Sequence, residues 1–303
     1  MKRILIIGAL ASLLIGASAN AAPLKVVTTI QDLASLTKEV GGDRVDVTSI
    51  AKGYQDPHFV EPKPSYLLLL RNADLLEVVG LELEIGWLPP LLDQSRNNRI
   101  RPGQAGYLDL SSGVTILDRP TGTVNRSMGD VHPLGNPHYW LDPANAVRIA
   151  IQIERKLAEL RPADAPYFAQ RLNEFKLRIN DAYKRWQTTM APFRGTKIVT
   201  YHNSWPNFAK TFGLDVVGYV EPKPGVPPSP SHTFELIQLM KAQKVKAILM
   251  EPYFDAKTPQ SIAERAGAKL VIMYPSVGGA KSGTDDYIQL FDYNLTNLLK
   301  ALR

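Results

Sequence analysis

Apolar positions recur along this chain in two alternating patterns, short continuous runs and helical stripes. Leu24 to Ile30, Val45 to Ile50 and Asp74 to Val79 read as strands, with amphipathic helices at Leu33 to Val40 and Ser65 to Asn72 between them. Apolar runs, rather than strict alternation, are what a parallel sheet covered on both faces requires, so the first half reads as βαβ units. Residues 96 to 137 are rich in Gly, Pro, Asn and Ser and read as irregular, with one short strand near Val114 to Leu117.

Asp142-Pro143 opens a helix predicted to run to about Leu160. The carboxylate can cap free N–H groups, and proline at the first helical position gives up an N–H that has no partner there. After Arg161-Pro162 a second helix carries Phe168, Leu172, Phe175, Ile179, Tyr183, Trp186 and Met190 on one face, at gaps of three and four. Residues 165 to 190 make a rod of about 39 Å at roughly 1.5 Å per residue. The stripe stops after about three and a half heptads and α/β patterns flank it. It therefore fits a helix lying along both lobes of its own chain better than half of a coiled coil.

The second half repeats the first in kind. Strands at Lys197 to Tyr201, Val216 to Val220, Ala247 to Met250 and Leu270 to Tyr274 alternate with helices at Trp205 to Phe212, Thr233 to Gln243 and Pro259 to Ala266. The expected fold class is α/β with two lobes, residues 22–162 and 193–303. Each is a mainly parallel sheet flanked by helices, and one long rigid helix over residues 163–192 joins them.

The N-terminus places this fold outside the cytoplasm. Lys2 and Arg3 precede an apolar stretch from Ile4 to Ile15, and Ala19-Asn20-Ala21 is a small-x-small cleavage signal, so residues 1–21 read as a signal peptide. The stretch is shorter than the ~20 apolar residues of a membrane span. With no cysteine among the 303 residues, neither an N-terminal lipidated cysteine nor a disulfide scaffold is available, and a soluble periplasmic protein is expected. The formal net charge of +6 falls by the two charges of Lys2 and Arg3 on cleavage. The remaining basic residues are interspersed with acids, which argues against a nucleic-acid partner.

Candidate chemistry lies in the histidines, of which there are only five. Three stand beside turn or strand-ending signals: His58 in Asp56-Pro57-His58, His138 in Asn136-Pro137-His138, and His202 directly after Ile198 to Tyr201. Together they suggest a transition-metal site built from distant segments, with zinc the ion best suited to imidazole donors. Each also has a plainer explanation. His58 fits a surface loop, and His138 fits an aromatic-lined core position satisfied by a carbonyl. His202 sits where open α/β sheets face their ligand crevice, which favours function. Asp285 precedes the face Ile288, Phe291, Leu295 and Leu298 and fits a helix cap, as does Asp286. His232 reads as a helix-entry residue, and His132 as a loop residue whose alternative is a transient metal contact.

Several separated signatures resemble one family. These are Asp56-Pro57-His58 with Glu61-Pro62 and Ser65, Asn136-Pro137-His138-Tyr139-Trp140-Leu141-Asp142-Pro143, Tyr201-His202, Glu251-Pro252, and Asp285-Asp286-Tyr287 with Tyr293-Asn294-Leu295. In order and over the mature chain, they resemble the metal receptors of ABC importers of the ZnuA and TroA type. The resemblance implies a metal in the cleft between the lobes, held by His58 and His138 from the first and His202 and Asp285 from the second. The spacing from Asp285 to Tyr293 is the reason to prefer it over Asp286 or Glu61 as fourth ligand.

The resemblance further implies a monomeric, non-enzymatic zinc receptor serving an inner-membrane permease with a cytoplasmic ATPase, with a periplasmic zinc chaperone as a further candidate partner. No Gly-x-x-x-x-Gly-Lys-Ser/Thr loop occurs, so nucleotide energy comes from another subunit. The long His-, Asp- and Glu-rich loop common among zinc receptors is missing, since Asp118 to Pro137 holds one histidine. His202 stands where manganese receptors tend to place a glutamate. Three imidazoles and one carboxylate suit Zn²⁺ over Mn²⁺, which prefers oxygen. The alternatives are a manganese or iron receptor, a receptor for a chelated metal or cobalamin, and a zinc hydrolase with Asp285 or Glu61 as general base.

Overall fold

A computed structural model describes residues 22–303. The expected signal peptide lies outside the described residues. Two four-stranded parallel sheets are present. The first pairs β1 (Leu24–Thr28), β2 (Val45–Ser49), β3 (Leu75–Val78) and β4 (Tyr107–Asp109) in the order β2-β1-β3-β4. The second pairs β5 (Lys197–Thr200), β6 (Asp215–Tyr219), β7 (Ala247–Met250) and β8 (Lys269–Ile272) in the order β6-β5-β7-β8. The two lobes thus share one strand order although their sequences show no matched repeat.

The period-two geometry of a strand explains how each sheet is covered on both faces. Ile198, Ala247 and Leu249 point into a core shared with the long helix, whereas Val199, Ile248 and Met250 point the other way. That second face is covered by α7 (Pro230–Gln243) and α8 (Lys257–Ala266), through Leu236, Ile237, Met240 and Ile262.

The long helix α5 runs from Ala165 to Met190, and Phe168, Leu172, Phe175, Ile179, Trp186 and Met190 of its expected stripe are buried, whereas Tyr183 is only half-buried and Ala182 is buried beside it. Its first half packs on α1 (Gln31–Gly41) and α4 (Pro143–Leu160), where Arg171 Nε donates to the carbonyl of Glu39 at 2.9 Å. Its second half meets α9 (Tyr287–Leu302), where Trp186 Nε1 donates to Asp292 Oδ1 at 2.6 Å and its ring stacks on Phe291 at 5.0 Å. One continuous apolar cluster results, running from Leu33 and Ile30 in the first lobe through Trp186 to Phe208, Phe212 and Phe291 in the second.

Buried hydrogen bonds stitch the lobes together along the same seam. Trp140 Nε1 donates to the Pro275 carbonyl at 2.8 Å, the Tyr287 hydroxyl donates to the Trp140 carbonyl, and the Tyr287 amide donates to Ser35 Oγ at 3.1 Å. Asp32 accepts from Ser276 Oγ and from the Val277 amide.

Three local expectations are corrected. Val114 to Leu117 is not a strand: Thr115 N–H donates to Asn145 Oδ1 at 2.9 Å and its carbonyl accepts from Asn145 Nδ2 at 3.2 Å, so a side chain on α4 takes the place of a neighbouring strand. The fourth strand is β4 instead, with Leu76 opposite Tyr107. A helix absent from the sequence reading, α3, spans Leu88–Ser95 with proline in its first turn. Finally, α9 opens at Tyr287, and Asp286 is its cap, accepting from the Gln289 amide at 2.9 Å. The helix capped by Asp142 runs as predicted, from Pro143 to Leu160. No helix among the described residues is long and apolar enough to cross a membrane.

Candidate metal centre

The carboxyl ends of the strands carry the polar residues of the cleft, as expected where parallel sheets leave their helix-linked loops. His202 lies two residues beyond β5, Glu221 two beyond β6, and Glu251 directly after β7.

The two Asx-Pro-His segments build the same local device. In the first, Asp56 Oδ1 accepts from the His58 amide at 2.9 Å and holds His58 Nδ1 at 2.8 Å. In the second, Asn136 Oδ1 accepts from the His138 amide at 2.9 Å and holds His138 Nδ1 at 3.0 Å. The short side chain two residues upstream folds the turn and orients the ring in one step. The surroundings fix both turns. Trp87 Nε1 donates to the Pro57 carbonyl at 2.9 Å, and Asn136 Nδ2 donates across the cleft to the Asn203 carbonyl at 2.8 Å.

His202 is held from another direction, by Glu221 Oε2 on its Nδ1 at 2.7 Å. His132 Nδ1 meets the Leu81 carbonyl at 3.1 Å. In all four rings the partner of Nδ1 is an oxygen acceptor, so Nδ1 carries the hydrogen and Nε2 is left with its lone pair. This is how metal-binding imidazoles are tuned, with the outer partner setting tautomer and angle.

The structure brings His58, His138 and His202 together, with ligand atoms that all lie within 4.8 Å of one another. Ring centroids are 5.2 Å apart for His58 and His138, 5.4 Å for His58 and His202, and 5.6 Å for His138 and His202. Imidazoles bound through Nε2 to one tetrahedral zinc, at about 2.0–2.1 Å, place their centroids about 5.2 Å apart. Nε2 of His58, His132 and His138 is buried without a hydrogen-bond partner. Orphaned buried acceptors of this kind are costly unless something binds them.

Electrostatics divide the set. Burial, followed by the charge of His58, pushes His132 down to about 4, and burial also lowers His138 well below the usual imidazole value. Both stand neutral and ready to donate to a cation. Burial pulls His202 the same way, but the hydrogen bond to Glu221 and the charges of Glu251 and Glu221 outweigh it, so His202 is raised. Glu251 is itself pushed up to about 7 by burial, and Trp205 Nε1 donates to its Oε1 at 2.9 Å. The Trp140 ring, 5.3 Å from His138, and the Phe254 ring, 6.3 Å from His202, wall the site with apolar surface.

Asp285, the fourth ligand implied by the family resemblance, is not brought to this cluster. It is exposed and lines a surface depression with Lys38, Glu39 and Arg171, against α1 and α5. Glu61 is also exposed and outside the cluster. His232 points Nε2 at the Tyr219 carbonyl at 3.0 Å, and its amide is capped by Ser229 at 3.2 Å. Glu221 escaped the sequence reading; its only signal was its place just past a strand.

Comparison with known proteins gives a consistent picture. The model of the family ZnuA, described as zinc-uptake complex component A, periplasmic, matches residues 26–301. The high-affinity zinc uptake system protein ZnuA of Bacillus subtilis is 25% identical over 286 residues, covering 92% of this chain and 88% of that protein. The manganese ABC transporter substrate-binding lipoprotein PsaA of Streptococcus mitis is 25% identical over 292 residues, covering 94% and 91%. Among solved structures, a crystal structure of ZnuA superposes with a TM-score of 0.77 at 24% identity, covering 93% of this chain and 100% of that one. A manganese-bound periplasmic metal binding protein from Candidatus Liberibacter asiaticus superposes at 0.75 with 19% identity, covering 92% and 99%.

Proposed function

The chain belongs to the ZnuA family of metal-binding receptors for ABC transporters, and from that premise we propose that its cargo is Zn²⁺, held by His58, His138 and His202. One observation carries the reading: three imidazoles from separate segments bring ligand nitrogens within 4.8 Å of one another, and in His58 and His138 Nε2 is buried and unpartnered. Relatives are named for zinc and for manganese, so family membership alone does not choose between the metals. The donor set does favour one. Imidazole nitrogen at tetrahedral spacing suits Zn²⁺, whereas Mn²⁺ prefers oxygen ligands in larger number.

On this reading the receptor is a periplasmic monomer that passes zinc to an inner-membrane permease driven by a cytoplasmic ATPase, and it catalyses nothing itself. None of the 303 residues is a cysteine, so the lipid anchor named for several relatives has no attachment point within this sequence. A periplasmic zinc chaperone that loads the site is a further candidate partner.

The test is competition for metal. Apo protein exposed to equimolar Zn²⁺, Mn²⁺ and Fe²⁺ is expected to retain one zinc per chain by elemental analysis. His58→Ala, His138→Ala and His202→Ala should each weaken zinc binding strongly. Preferential retention of manganese, or undiminished zinc binding in all three variants, overturns the assignment. Zinc-dependent ester, amide or phosphate hydrolysis that is lost in His58→Ala would point to a hydrolase instead.

A further inference from the structure

His132 lies in the irregular segment between β4 and α4, where the sequence suggests a solvated loop with a transient metal contact as the alternative. Its environment is not that of a loop histidine. The ring centroid is 5.3 Å from that of His58, matching the 5.2 Å and 5.4 Å separations of His58 from His138 and His202. Its Nδ1 is held by the Leu81 carbonyl, and its Nε2 is buried without a partner, the same arrangement as in His58 and His138. Four of the five histidines therefore have an oxygen on Nδ1, and in three of them, His58, His132 and His138, Nε2 is buried without a partner.

The segment that carries His132 is fastened to the opposite lobe. Lys223 Nζ donates to the Ser127 carbonyl at 2.8 Å, and the Asp130 amide donates to the Pro224 carbonyl at 2.9 Å. Two glycines permit this approach. Gly129 has φ of 78°, and a Cβ there would stand 2.3 Å from the Pro224 carbonyl oxygen. Gly225 has φ of 75°, and a Cβ there would stand 2.2 Å from Asp130 Oδ2. The turn that receives the segment is itself tied to the metal centre, because the Gly225 amide donates to Glu221 Oε2 at 3.2 Å, the same oxygen that holds His202.

We propose that His132 is a fourth imidazole ligand, delivered to the three-histidine site by a strap of the first lobe that closes onto the turn Lys223 to Val226 of the second. The proposal rests on the zinc-receptor reading and adds to it the identity of the last ligand and the element that brings it. His132 is not one of the three residues whose ligand atoms lie within 4.8 Å of one another, so the strap must carry it inward past its contact with His58 for the fourth bond to form. Because Asp285 is remote from the cluster, the resulting site is all nitrogen, which excludes oxygen-seeking ions more strongly than three imidazoles and a carboxylate.

The experiment is zinc K-edge X-ray absorption on the full mature chain loaded with one equivalent of Zn²⁺, together with competitive zinc titration. Wild-type protein is expected to show four imidazoles. His132→Ala should show three and an oxygen, with affinity lower by about 10- to 100-fold and an unchanged apo thermal melt. Gly129→Ala, which sets a Cβ against the Pro224 carbonyl and pushes the strap off the turn, should weaken zinc binding in the wild-type background but not in His132→Ala. Three imidazoles in both wild type and His132→Ala, with equal affinities, overturn the proposal and leave the receptor reading standing. A wild-type chain that takes up no zinc overturns both.

Discussion

Glu221 Oε2 lies 2.7 Å from Nδ1 of His202, and both side chains are buried at the carboxyl edge of the second sheet. The pair makes zinc binding a proton exchange. In the metal-free protein the hydrogen bond to Glu221 and the Glu251 charge overcome burial and raise the pKa of His202, so on acidification it is protonated before His138 and His132. Zinc needs the neutral ring, and affinity is expected to fall by about tenfold per pH unit once pH drops below the His202 pKa. Glu221→Gln removes the charge that raises this pKa, so the fall should begin at lower pH. At neutral pH the same variant should bind about 10- to 100-fold more weakly. Competitive titration between pH 5 and 8 checks both; an unchanged pH profile in the variant would show that Glu221 does not set the proton.

Asn136 has two tasks, orienting His138 through Oδ1 and crossing to Asn203 through Nδ2. Asn136→Ala should therefore weaken zinc by about 10- to 100-fold, although the residue touches no metal. Asp285→Ala, at an exposed position remote from the cluster, should leave zinc affinity within about twofold. A loss in Asp285→Ala comparable to that in His58→Ala would restore the carboxylate as a ligand.

Glu77 is fully buried on β3, and burial pushes its pKa up to about 8 against the hydrogen bond with Thr37. Thr37 Oγ1 lies 2.8 Å from the Leu33 carbonyl and 2.5 Å from Glu77 Oε2. One hydroxyl hydrogen cannot serve both, so Glu77 donates as a carboxylic acid while Thr37 donates to Leu33. The folded protein keeps this proton while the unfolded chain releases it near the ordinary value of 4.5. Between 4.5 and about 8 this group alone therefore lowers stability by about 1.4 kcal/mol per rising pH unit. Glu77→Gln should be close to neutral at pH 5 and more stable than wild type at pH 8 in urea denaturation. A variant that is equally destabilised at both pH values would sink the protonated-acid assignment.

The shared core and the buried bonds from Trp140 to Pro275 and from Tyr287 to Ser35 make the two lobes one mechanical unit. Small-angle scattering of apo and zinc-loaded protein should give nearly equal radii of gyration, since closure is left to loops and a slight tilt. Phe291→Ala, which empties the contact with Trp186 and Phe208, should cost about 3–5 kcal/mol and still melt in a single transition. Two separated transitions would show that the lobes fold independently.

By itself the sequence determined what depends on neighbours a few residues away. The β5 and β7 runs, the stripe on α5, the Asp142 cap and the two Asx-Pro-His turns are local patterns, and each is found where its residues place it. Tertiary structure decided whatever required distant segments to meet. Val114 to Leu117 has strand composition, yet Asn145 on a helix claims its backbone. Asp285 and Asp286 are adjacent and chemically alike; the packing of α9 against the first lobe assigned the cap to Asp286 and left Asp285 at the surface. For His132 the sequence left a solvated loop and a transient metal contact both open, because the burial of an imidazole nitrogen depends on chain that lies far away in sequence, here the turn at Pro224. Local periodicity and turn chemistry are set within a few residues, whereas the position of one side chain in a cleft depends on how two lobes dock.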